Sequence, residues 1–167
     1  MDNKRSDIQL TRLSEVSDPT RKLYQASAVA EALKEFVENQ FPACADVNVQ
    51  LEQDGAIMLC ADYLALFFKS LLRSVFGNAF LTIDISSDAE RLLLSISTDK
   101  PTPIPDSEIN KLIRIARNTG LEVDEDPSRF TAHIKFISKK EYSVYAINFS
   151  RDKKIITSKL CEVFKNE

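Results

Sequence analysis

"CADYLALFFKSLLRSVFGNA", residues 60–79, is the stretch on which the reading of the whole chain turns. Its apolar residues recur at helical spacing and Gly77-Asn78 closes it, which predicts a helix over 61–78. Ser70, Ser74 and Asn78 stand four residues apart, so on a regular helix they form one polar line. Such a line is either the floor of a ligand site or a thin polar edge followed by a helix stop.

The flanking sequence supplies the frame. "SDPTRKLYQASAVAEALKEFVENQF" predicts a helix over 18–40, with Asp18 as cap and Pro19 at the first helical position. Leu23, Ala26, Ala30, Leu33 and Val37 form its stripe. "ADVNVQLEQ" alternates as a strand, and "DGAIMLC" turns at Asp54-Gly55 and returns as its hairpin partner. "FLTIDIS" and "RLLLSIST" are a second strand pair around the polar turn "SDAE". "PDSEINKLIRIARNTG" predicts a helix over 106–119, with Ile109, Leu112, Ile113 and Ala116 inward and Gly120 as its stop. "LEVDE" and "RFTAHIKFI" follow as strands, then "YSVYAINFS" as a last strand and "DKKIITSKLCEVF" as a last helix.

Tight turns between strands favour an α+β layer over a doubly wound parallel sheet. The expectation is a two-layer α/β sandwich, with three main helices on one face of a mixed, mostly antiparallel sheet. There is no internal repeat, linker or composition break, so residues 1–167 are expected to form a single domain.

Composition excludes several functions. The 167 residues carry a formal net charge of −3, so no overall positive field would draw nucleic acid. "MDNKRSDIQL" lacks the apolar core of a signal peptide and no run reaches membrane-spanning length, so a cytoplasmic protein without membrane attachment is expected. Cys44, Cys60 and Cys161 contain no CxxC pair and are expected to be reduced, packed thiols. The three glycines, Gly55, Gly77 and Gly120, are isolated, so GxGxxG and P-loop readings fail. The sole histidine, His133, falls between the alternating Phe130, Ala132, Ile134 and Phe136 and therefore points to the opposite, solvated or sheet-covered face. Serine-type and histidine-metal catalysis lack partners in this chain.

The order helix, strand pair, then "MLCADYLALFFKSLLRSVFGNA" resembles the ATP-binding domain of sensor histidine kinases. That fold is shared across the GHKL superfamily with gyrase, heat-shock chaperones and mismatch-repair proteins. The match runs over about residues 10–137, with residues 141–167 as an extra C-terminal strand and helix. Ala61-Asp62 stands where the family's aspartate opens the N-box helix. Asn78-Ala79 matches the end of the N-box, with Ser74 at the place of the earlier asparagine. Asp99, after "LLLSIST", matches the aspartate that binds the adenine amino group, but Lys100-Pro101 follows where the family has glycine. Ser128 sits near the threonine that supports that aspartate.

The resemblance implies ATP and Mg²⁺ as cofactors, with Asn78 as metal ligand and Ser74, Asp99 and Ser128 as nucleotide-binding residues. Asparagine suits Mg²⁺ because its side-chain oxygen completes an octahedral oxygen shell shared with phosphates. The glycine-rich lid is missing: no glycine lies between Lys100 and Asn118, and Pro101, Pro103 and Pro105 remove amide donors that phosphates need. The basic residue often found after Asn-Ala is replaced by Phe80-Leu81, and no glutamate lies between Asp62 and Asn78 to serve as general base. No phosphoacceptor histidine stands in "MDNKRSDIQLTRLSEV".

Local chemistry offers plainer roles beside these. Gly77-Asn78 suits a helix C-terminus, Asp99 suits a turn, and Ser70 and Ser74 permit close helix–sheet contact. The expected function is therefore a degenerate, non-catalytic regulatory or protein-binding module in signal transduction, with weak or lost nucleotide binding. Its expected partner is another signalling protein, and a homo-oligomer stays open. The alternative is an active ATP–Mg²⁺ domain of a split sensor kinase or anti-sigma-type serine kinase that phosphorylates a separate protein. Residues 141–167 are expected to extend the sheet and cover a face that a kinase leaves free, either as a purely stabilising cap or in a partner-binding role.

Overall fold

Apolar residues alternate along four strands, and pairing brings them onto one face. A computed structural model describes residues 19–75, 79–99, 106–124 and 129–165. The elements are β1 (Lys22–Gln25), α1 (Ala26–Gln40), β2 (Ala45–Leu51), β3 (Ala56–Leu59), α2 (Ala61–Ser70), β4 (Leu81–Ser87), β5 (Arg91–Thr98), α3 (Asp106–Thr119), β6 (Glu122–Asp124), β7 (Phe130–Lys135) and α4 (Phe149–Lys165). Strands β2-β4-β5-β7-β6 form a mixed sheet in that order, while β1 and β3 form a separate antiparallel ribbon.

Within the large sheet only β2 and β4 run parallel. Register sets Val47 beside Ile83, Ile83 beside Ile96, and Ile96 beside Phe130, all buried. The helices cover this face with Leu33, Val37, Phe67, Phe68, Leu112 and Ala116. Each large side chain so buried contributes about 1.5–3 kcal/mol. The other face carries Asn48, Asp84, Ser95 and Thr131, as alternation requires. The protein is thus a two-layer α/β sandwich with a mostly antiparallel sheet.

Three local expectations give way to tertiary structure. Residues 22–25 are strand, and α1 begins at Ala26. Its cap is Asp54, far along the chain, whose carboxylate accepts from Ser27 N (3.0 Å) and Ser27 Oγ (2.6 Å). The proposed cap Asp18 lies outside the described residues, and Pro19 precedes the strand. Partial burial disfavours the Asp54 carboxylate, but hydrogen bonds from Ser27, Gln25 and Gly55 outweigh this and hold its pKa below the usual range.

The hairpin expected around Asp54-Gly55 does not form. β3 pairs with β1 and β2 pairs with β4. Ser87 Oγ donates to Gln53 O (2.7 Å) and accepts from Gln53 N (2.9 Å), so the connection is clasped to the end of β4. Gly55 lies against Phe136, where a Cβ would sit 3.0 Å from the ring.

The tail departs most. Instead of a strand, "YSVYAINFS" includes a 3-10 turn at Val144–Ala146, preceded by another at Lys139–Glu141. The sheet is therefore not extended. Helix α4 starts earlier than expected because Asn148 Oδ1 accepts from Arg151 N (2.9 Å) as its cap. α4 packs on α1, α2 and β1, burying Ile156, Leu160 and Val163. Two carboxylates pin it. Asp152, 1% exposed, accepts from Gln25 N (2.8 Å), Asn148 N (3.1 Å) and Arg151 Nε (3.2 Å). Asp62, at the head of α2, pairs with Lys159 Nζ at 2.9 Å.

The edge strand β2 turns alternate carbonyls away from β4. One of these, Val47 O, accepts from Lys34 Nζ at 2.9 Å, and the same ammonium meets Glu38 Oε1 at 2.6 Å.

Candidate functional site

The expected site lies where α2 ends, where β5 ends and where α3 begins. After Ser70 the α-helical pattern gives way to a π-helical turn at Leu71–Val75. A π turn closes i→i+5 rather than i→i+4 bonds. The backbone from Ser70 to Ser74 is therefore not the regular α-helix on which the polar line was expected. Ser70 is buried at 8% exposure on the packed side of α2.

Asp99 follows the last residue of β5. Its N–H donates to Phe80 O (3.1 Å) and its Oδ1 accepts from Phe80 N (3.0 Å), so it closes the β4–β5 ladder beyond Leu81 and Thr98. The side chain is exposed at this end of the sheet. One oxygen thus serves the backbone, and the group stays at the surface where the sequence placed it. Asn78 and Ser128 lie outside the described residues, and of Ser74 only the backbone is described. In the sequence, residues 99–105 separate β5 from α3, and of these only Asp99 is described.

His133 takes the polar face, as alternation predicts. Its Nε2 lies 2.9 Å from Glu122 Oε2 and its Nδ1 3.6 Å from Asp124 Oδ2, both across the β6–β7 pair. Cys60 is buried, whereas Cys44 and Cys161 are exposed, which corrects the expectation of three packed thiols. Among the described residues no group of three or more His, Cys, Asp or Glu is arranged to hold a metal ion. No described helix is long and apolar enough to cross a membrane.

Sequence reasoning missed Asp54 and Asp152, because both act on backbone groups far away in the chain. An aspartate four residues into α4, in "NFSRD", was the available signal for Asp152.

No family model and no curated protein matches the sequence. Solved structures similar to it include the histidine kinase domain of the E. coli osmosensor EnvZ, at 8% identity and TM-score 0.49, covering 75% of this chain and 95% of that one. The cytoplasmic segment of histidine kinase QseC is similar at 15% identity and TM-score 0.46, covering 80% and 91%. Acinetobacter baumannii histidine kinase AdeS gives 15% and 0.46, covering 80% and 76%. The element order and one-sided mixed sheet described above are those expected of the histidine-kinase-like ATP-binding fold.

Proposed function

We propose that this protein is a histidine-kinase-like module that acts in signal transduction through protein contacts, with nucleotide binding weak or lost. The observation that carries the reading is the β5–α3 connection. By sequence, residues 99–105, between the end of β5 and the start of α3, contain three prolines and no glycine. Proline removes amide donors and fixes φ, so this segment offers few N–H groups to an anion. Asp99 supports the reading from the other side, since one of its oxygens already serves Phe80 N.

Where nucleotide does bind, Asn78 would hold Mg²⁺, and Asp99, Ser74 and Ser128 would face the nucleotide. Calorimetric titration with ATP and Mg²⁺ tests the proposal. The expected affinity is in the high micromolar range or worse, about −5 kcal/mol or less favourable. Sub-micromolar, Mg²⁺-dependent binding that is lost in Asn78→Ala and Asp99→Ala would overturn it and favour an active kinase acting on a separate protein.

A further inference from the structure

A groove of about 550 Å³ runs between β1 and α4. Leu23, Met58, Tyr145 and Ile155 supply apolar lining. Tyr145 is 85% exposed and Met58 37% exposed. Among the described residues the other large exposed hydrophobics are Val144, next to Tyr145 in the same turn, and Phe149, at the start of α4. Lone exposed apolar residues need no explanation, but a cluster rimmed by charge marks an interaction surface.

The charge there opposes that of the chain. The protein carries a formal net charge of −3. The groove is lined by Arg21, Lys22, Arg151 and Lys159 against Asp62 and Asp152, and both of these carboxylates are buried. Asp152 is held by Arg151 and Asp62 by Lys159, while Arg21 Nη2 donates to Arg117 O and Arg151 Nη2 to Ala146 O, so four anchored cations face two carboxylates along the groove.

Backbone geometry adds direction. Ala26 N bonds Gly55 O, and the β1–β3 register then turns the backbone groups of Lys22 and Tyr24 toward β3. Those of Leu23 and Gln25 face the opposite edge. Gln25 N is occupied by Asp152, which leaves one residue of that edge, Leu23, itself among the residues lining the groove.

We propose that this groove docks an acidic, extended segment of a partner protein. The segment lies along the β1 edge at Leu23, seats one bulky apolar side chain against Met58 and Tyr145, and places carboxylates near Arg21 and Arg151. Main-chain bonds along a strand edge supply affinity in this mode, and alternate side chains supply specificity. The inference does not rest on the nucleotide reading, since Asp99 is not among the groove residues.

Fluorescence anisotropy with a short labelled peptide of glutamates flanking a Leu-Phe-Leu centre tests it on the full chain. Saturable binding is expected, weakened about tenfold by Arg21→Glu, about fivefold by Tyr145→Ser, and progressively by added salt. Both substituted side chains are exposed. Absence of binding, or binding that neither substitution weakens, overturns the proposal. So does equal or tighter binding of the lysine counterpart, of phosphatidylserine vesicles or of single-stranded DNA.

Discussion

Asp152 and Asp99 both accept hydrogen bonds from backbone N–H groups, yet they stand in opposite surroundings. Asp152 is 1% exposed and holds β1, the start of α4 and Arg151 together. Asp99 is exposed and closes a single pair at the end of β4 and β5. The same chemistry is structural where water is excluded, because a stranded buried donor costs about 1–3 kcal/mol. At the surface water replaces the lost partner. Asp152 is therefore committed to the fold, whereas Asp99 holds a ladder end where water can take its place.

The sharpest way to break this contrast is to delete residues 141–167. The deletion exposes the surfaces of α1 and α2 that Ile156, Leu160 and Val163 cover. A loss of about 5 kcal/mol or more is expected, close to the whole stability of a small domain. Loss of the cooperative thermal transition and of solubility is the predicted readout. A truncated chain with an unchanged melting temperature would show that α4 covers nothing of consequence.

Next in size is Asp152→Ala, expected to cost about 3 kcal/mol by urea denaturation, since it strands Gln25 N and Asn148 N. Asp99→Ala, measured the same way, should cost about 0.5 kcal/mol or less. Equal losses in the two variants would erase the contrast.

Between these falls Asp54, whose cap on α1 is worth about 1 kcal/mol. Its pKa is lower in the folded chain than the ordinary 3.8, so folding favours the ionised form. That stability is fully present above the unfolded value and is lost as pH falls through the folded one. Asp54→Asn should therefore flatten the dependence of stability on pH below about 4, leaving the neutral-pH slope unchanged.

How far these features could be read from sequence follows from how local their causes are. α3 spans 106–119 as expected, because its apolar stripe and Gly120, at φ +117°, lie within a few residues. The start of α1 was not legible, since its cap comes from residue 54 and β1 pairs with a strand over thirty positions away. "YSVYAINFS" carries strand-forming aromatics, but no free sheet edge receives it, and Tyr145 stays exposed. At the candidate site, the place of Asp99 at the end of β5 was legible from the alternation of "LLLSIST". The π turn at Leu71–Val75 was not, because nothing in residue spacing announces one.

The ammonium of Lys34 on Val47 O has a consequence for the protein in company with its own copies. An open strand end invites a neighbouring chain to stack on it and seed fibrils. Here one rim of the large sheet is obstructed by a bound cation, and the other is the three-residue strand β6 bearing Glu122 and Asp124. Crowded copies thus meet charge at both rims of the large sheet.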